Sequence, residues 1–351
     1  MPHGNVVLDF SPTPHKVMYD ADIPAPILTF GPMSYMVDII PETNTIDCHV
    51  LIGNYCSIAH RVTFSIATNH NYHCVTTFPQ HKIAPYTWDS SMPEPKNPFA
   101  DPINRHQIVI GSDVWIGSDS FLFGGVHIGN GAVIGAGTVV AKDVPPYAIA
   151  IGNPMRIVKY RFDAETIRRL QRIKWWHWEK EQIEQYIPAF NNDMAGFLDR
   201  FDPGEQVWEE DEAYAAVRDL RADGYTVFYC IPDFGVEPAY AVWPRMIDRF
   251  LAAYTAEDRV ALVLAVCEGE SAQPCLAEIM ERLAARGEDA PLILSHGCSA
   301  QIPFSITALK ASSAYITTRE YVSTLAVDFA DDAGLAIRYG LDQGALLFPP
   351  V

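Results

Sequence analysis

The chain has 351 residues, 49% apolar and 19% charged, which suits one or two well-buried globular domains and excludes a disordered or coiled-coil protein. It carries 25 Lys and Arg against 43 Asp and Glu, a formal net charge of −18, so nucleic acid and anionic membranes are disfavoured as partners. No apolar run approaches the ~20 residues of a membrane span. Met1-Pro2-His3-Gly4 shows no export signal, and seven cysteines without CxxC pairs read as reduced thiols, so a cytoplasmic protein is expected.

A period of six opens the chain. Ile46, Ile52, Ile58 and Phe64 are spaced by six, and the period resumes at Ile110, Ile116, Leu122, Ile128, Ile134 and Val140. The next position is small at Gly53, Ala59, Gly111, Gly117, Gly129, Gly135 and Ala141. Neither a helix nor a lone strand has this period. A chain wound as a three-sided prism does, one hexapeptide per face, with aliphatics inside and small residues at the corners. Between the two runs lies an excursion loop, residues 69–106, rich in His, Pro and aromatics; loops of this length are usually functional. The repeat is expected to end at Asp143-Val144-Pro145-Pro146.

A helical tail follows, residues 163–201. Asp163 can cap a helix with Ile167, Leu170 and Ile173 on one face, leading to Trp175-Trp176-His177-Trp178, read as core and interface filler. Charge then shifts: residues 1–201 hold 15 basic and 19 acidic residues, whereas 202–351 hold 10 and 24. From residue 205 to 351 strands (Thr226 to Ile231, Val260 to Val266, Leu292 to Leu294, Ala314 to Thr317, Leu335 to Tyr339) alternate with amphipathic helices, which predicts an α/β Rossmann-like accessory domain with a parallel sheet. No GxGxxG or GxxxxGK[ST] supports a nucleotide site there.

The segments Ile52-Gly-Asn-Tyr-Cys-Ser-Ile-Ala59, Thr68-Asn-His-Asn71, Thr76-Thr-Phe-Pro79, Asp113-Val-Trp-Ile-Gly117, Ile134-Gly-Ala-Gly-Thr-Val-Val140, Lys142-Asp-Val-Pro-Pro146, Gly152-Asn-Pro154, Tyr160-Arg-Phe162 and Trp175-Trp-His-Trp178 occur in that order. Together they resemble the xenobiotic acetyltransferases, a branch of the left-handed β-helix acyltransferases, over residues 31–201. The resemblance implies a left-handed parallel β-helix over 31–162 after an N-terminal extension (1–30), assembled as a homotrimer with each active site between subunits. It implies acetyl transfer from acetyl-CoA to a hydroxyl of a small-molecule or glycan acceptor. His70 matches the general base, and Asn69, Tyr55, Tyr72 and His73 fall at acceptor-contacting positions. Trp115, Gly117, Ser118, Gly135 and Ala136 match the pantetheine groove, with Lys142 and Arg156 near the CoA phosphates and a backbone N–H of the Gly117-Ser118 corner as oxyanion donor. His127 is expected to face solvent or a sister subunit.

Chemistry agrees with the base: an imidazole titrating near 6.5 can deprotonate a hydroxyl as it attacks a thioester. No metal is expected, because His70 and His73 lie in a loop without a third ligand. Cys74 reads as packing, since direct transfer needs no acyl-enzyme.

The stretch Tyr315-Ile-Thr-Thr-Arg-Glu320 with Ala330-Asp-Asp-Ala-Gly-Leu-Ala-Ile337 bears a faint resemblance to one half of a GT-B glycosyltransferase, whose helix-starting acid contacts a nucleotide-sugar. Glu320, then Asp328, match that acid, but Tyr321 replaces the family's glycine. A glycan-binding or oligomer-building relic is expected, not a working glycosyltransferase. The fusion favours a sugar or surface-polysaccharide precursor as acceptor, with an antibiotic hydroxyl of the chloramphenicol or streptogramin type, or a sugar amine, as alternatives.

Overall fold

The computed structural model describes residues 6–8, 10–20, 23–43, 45–70, 72, 75–77, 104–267, 269, 272–299 and 303–351. The hexapeptides wind into a three-faced parallel coil. Its first face holds Ile23–Phe30, His49–Ile52, Gln107–Ile110 and His127–Ile128. The second holds the start of Tyr35–Thr43, then Ser57–Ile58, Trp115–Ile116, Val133–Ile134 and Ala148–Ile151. The third holds the end of Tyr35–Thr43, then Val62–Ile66, Phe121–Phe123 and Val139–Val140. Register is one full turn: Trp115 pairs with Val133 and Phe121 with Val139.

The repeat aliphatics from Ile52 to Val140 form one continuous core with no more than 1% exposure, each burial contributing roughly 1.5–3 kcal/mol. Ile46 differs: it sits in a turn and only packs against that core from its rim. The small residue after each aliphatic has a steric cause. A Cβ on Gly111 would fall 2.8 Å from the Asn130 amide nitrogen, and one on Gly129 would fall 2.5 Å from that of Pro146. Successive corners therefore stack too closely for a side chain.

Both ends of the coil depart from the sequence expectation. Ile23–Phe30, assigned above to the N-terminal extension, pairs in parallel with His49–Ile52 as the first strand of the coil; Pro24 and Pro26 obscure its strand pattern. At the other end the repeat continues past the double proline. Pro145 and Pro146 occupy a corner, where no ladder N–H is needed, and Ala148–Ile151 adds another second-face strand, closed by antiparallel Arg156–Tyr160.

The tail is helical over Ala164–Ile173, Lys180–Asn192 and Met194–Phe201, and Asp163 caps the first helix by accepting from the Thr166 N–H. Leu170, Ile173, Phe197 and Leu198 pack with Tyr147 beneath the coil.

The C-terminal part contains a five-stranded all-parallel sheet, ordered Leu292–Cys298, Val260–Cys267, Thr226–Cys230, Ala314–Thr317, Ala336–Tyr339, with an apolar core on either side. This sheet docks on the first face of the coil. A buried polar seam joins them: the Thr29 hydroxyl donates to the Arg319 carbonyl (2.7 Å) and lies 3.0 Å from His49 Nε2. Gln107 Nε2 donates to His49 Nδ1 (3.0 Å) and to the Thr318 carbonyl (3.1 Å). Burial holds the His49 pKa well below its ordinary value, so it serves as a neutral connector.

Asp328 closes the lower seam. Its carboxylate is buried and accepts from Asn130 Nδ2 (2.9 Å), Trp176 Nε1 (2.7 Å) and His177 Nε2 (2.6 Å). Burial alone would push this carboxyl up, but the His177 bond and the Lys174 charge bring it below its ordinary value. His127 is only partly exposed, and its Nε2 lies 3.2 Å from Asp331. Glu320 pairs with Lys16 of the coil at 2.6 Å. The two acids matched to a nucleotide-sugar contact are thus both taken up in holding the coil.

Candidate active site

The prism has three edges, and the sequence-expected site residues divide among them. The edge from third to first face carries the stems of the excursion. His70 stands there, exposed, and its Nδ1 donates to the Thr77 carbonyl at 2.6 Å. A carbonyl can only accept, so that bond fixes the proton on Nδ1 and leaves Nε2 as a proton acceptor. Asn69 precedes it, its carbonyl accepting from Asn104 Nδ2 at 3.4 Å. Tyr72 lies two residues on, exposed to solvent. His73 and Cys74 lie outside the described residues. Lys142, just past Val139–Val140, is exposed on this same edge two turns further along the coil.

The edge from second to third face gathers the expected groove. Trp115 is 58% exposed on the second face. Gly117 follows at the corner, and a Cβ there would meet the Ala136 amide nitrogen at 2.5 Å and the Gly135 carbonyl carbon at 3.0 Å. The Ser120 hydroxyl donates to the Gly117 carbonyl (2.7 Å) and the Thr138 hydroxyl to that of Gly135 (2.6 Å), so both corners are rigid. One level below, Ile151 lies 2.7 Å from where a Gly135 Cβ would be and pairs in register with Arg156. Trp115, Gly117, Ser118, Gly135, Ala136 and Arg156 thus share one edge.

Three expectations are refined here. Lys142 and Arg156 stand on different edges, so within one chain they do not lie together. The Gly117 amide donates to the Ile134 carbonyl at 2.7 Å, which narrows the expected oxyanion donor at this corner to the Ser118 N–H. Tyr55 lies on the third edge, from first to second face, half-buried with its ring 5.0 Å from that of Trp175. It packs the tail and does not approach His70.

The sequence reading missed a charged pair on the groove edge: Arg61 donates through Nε and Nη2 to both carboxylate oxygens of Asp119, each at 2.7 Å. Arg61 bonding holds the Asp119 carboxyl below its ordinary value. Both take a positive φ, 53° and 60°, which the corner turn imposes three residues after each aliphatic. That spacing was the signal available in the sequence.

Comparison with known proteins agrees with the coil. The bacterial transferase hexapeptide (six repeats) family matches residues 107–142. A chloramphenicol acetyltransferase of Agrobacterium fabrum is 32% identical over 198 residues, 53% of this chain and 92% of the relative. One from Escherichia coli is 38% identical over 156 residues, 43% of this chain and 69% of the relative. A galactoside acetyltransferase solved in complex with coenzyme A is 30% identical with a TM-score of 0.26, the match covering 36% of this chain and 51% of that one. A stacked hexapeptide coil, a loop-borne imidazole and relatives covered over most of their length lead to one conclusion: the chain is an acyltransferase belonging to the xenobiotic acetyltransferase family.

Proposed function

We propose that the protein transfers the acetyl group of acetyl-CoA to a hydroxyl, with His70 as general base, at a site completed by a second copy of the chain in a homotrimer. The observation that carries this reading is the separation of the two halves of the site. His70 and the Gly117–Ala136 groove stand at opposite edges of the same third face, so a base from one copy must meet the groove of another. His70 Nε2 takes the acceptor's proton while the hydroxyl oxygen attacks the thioester carbonyl. Collapse of the tetrahedral intermediate breaks the carbon–sulfur bond, and the imidazolium returns its proton to the departing CoA thiolate. Trp115 and the backbone of Gly117, Gly135 and Ala136 would line the pantetheine arm, with Arg156 at the phosphate end.

The acceptor we favour is a sugar hydroxyl. The Arg61–Asp119 pair, exposed on the groove edge, supplies the donors and acceptors that a polyol needs. A chloramphenicol-type alcohol is the second reading, favoured by the names of the relatives. The glycosyltransferase likeness no longer bears on this choice, because Glu320 and Asp328 serve the seam. We read the C-terminal part as a Rossmann-like module whose role is structural. The test is thiol release from acetyl-CoA with sugars and antibiotics side by side, with product mass. Acetylated sugar supports the favoured acceptor, acetylated antibiotic the second, and no release with any hydroxyl compound overturns the reading.

A further inference from the structure

We propose that the C-terminal sheet positions the catalytic base, through Asp342. This rests on His70 being the base as proposed above. Asp342 is buried, 2% exposed, just past the last strand of the sheet. Its backbone is fixed twice: its N–H donates to the Tyr339 carbonyl (2.9 Å), and its carbonyl accepts from Arg249 Nη1 (3.0 Å).

Its side chain reaches across to the returning stem of the excursion. Asp342 Oδ1 accepts from the His106 backbone N–H at 2.9 Å and lies 3.4 Å from His106 Nδ1, while Oδ2 lies 3.8 Å from Arg105 Nη1. The other side of that stem is fixed by the coil. The His106 carbonyl accepts from the His49 N–H at 2.8 Å, and a Cβ on Gly124 would fall 2.5 Å from the Arg105 carbonyl oxygen. The next residue inward, Asn104, is buried and donates to the carbonyl of Asn69, the residue before His70. A contiguous path therefore runs from Asp342 through residues 106, 105 and 104 to residue 69 and the imidazole. Without Asp342 the stem loses a charged acceptor that the C-terminal part offers it and keeps only its contacts with the coil, so His70 is less well placed. Misplacing a reacting group by about 1 Å can cost ~10²-fold in rate.

The experiment compares full-length variants under saturating acetyl-CoA and the acceptor identified by the panel. Asp342→Ala should lower kcat by ~10- to 100-fold with KM for acetyl-CoA within about twofold, because the groove edge is untouched. Asp342→Asn, whose amide oxygen still accepts from the His106 N–H, should recover most of kcat. Asn104→Ser, which shortens the link to Asn69 without touching the sheet, should show the same fall in kcat alone. Arg245→Ala removes a different contact between the same parts, Arg245 to Asp47 at 2.6 Å, and should leave kcat unchanged. A fall in kcat shared by Arg245→Ala, or not restored by Asp342→Asn, would mean that Asp342 merely holds the fold and overturns the proposal. His70→Ala separates the two ideas: an inactive His70→Ala beside a fully active Asp342→Ala overturns only the positioning role, whereas an active His70→Ala overturns the base itself.

Discussion

Gly117 and Ala136 touch across one turn of the coil: no side-chain atom fits between the α-carbon of the first and the backbone of the second. The expected groove is floored by main chain at that point. Gly117→Val must push the lower turn away. It should destabilise the fold by about 1–3 kcal/mol, the usual cost of overpacking, and raise KM for acetyl-CoA more than it lowers kcat. Urea melts and initial rates check both. An unchanged KM would take Gly117 out of the groove.

The Thr77 carbonyl presets the His70 tautomer, with the proton on Nδ1. Loss of the base should cost ~10²–10⁴ in kcat. We expect His70→Ala to fall by that factor with KM for acetyl-CoA nearly unchanged, and His70→Gln to fare no better, since an amide cannot take up the proton. Steady-state kinetics at saturating acetyl-CoA decides it.

Asp328 gathers three donors from two other parts of the chain. Asp328→Ala would take their acceptor from the Trp176 indole N–H and the His177 ring and leave the Asn130 amide only its longer bond to Gln171 (3.3 Å). Breaking a buried charged network by removing one partner typically costs ~3–5 kcal/mol. Denaturant melts should show a loss of that size; a loss under about 1 kcal/mol would mean that water replaces the carboxylate at no cost.

His127 gives the seam a dependence on pH. Burial would lower its pKa, but the facing carboxylates of Asp331, Asp143 and Asp328 outweigh burial and raise it. A group whose folded pKa is raised stabilises the fold fully below its unfolded value of about 6.5, and that contribution is lost as pH rises through the folded value. The wild-type Tm should therefore fall between pH 6 and pH 9 by more than that of His127→Gln. Parallel Tm curves for the two proteins across that range would show that the ring does not titrate at the seam.

Most of the coil was legible because its cause is local. A side chain that points inward every sixth residue, and a corner after it that admits only a small residue, leave a period that neither a helix nor a lone strand writes. The strands and helices of the C-terminal sheet were legible for a similar reason, since apolar β-rich runs alternate with amphipathic ones. What stayed hidden depends on contacts distant in sequence. Nothing around His127 announces Asp331, and nothing in Asp342 announces His106; such pairs form only when the sheet docks. Ile23–Phe30 was missed because Pro24 and Pro26 mask its strand pattern, although the parallel pairing with the coil begins only at Leu28. Tyr55 was misplaced because a resemblance carries positions but not edges: the Trp175 ring that occupies it belongs to this chain's own tail. Lys142 and Arg156 were grouped by charge, whereas the winding of the chain sends them to different corners.

One flank of the column is permanently sealed by its own chain. In the homotrimer proposed above, sister molecules would then meet along the two flanks that remain. The covered flank would face outward in that assembly, carrying its acidic lobe to the rim, where it would fend off polyanions and leave neutral acceptors an unopposed approach.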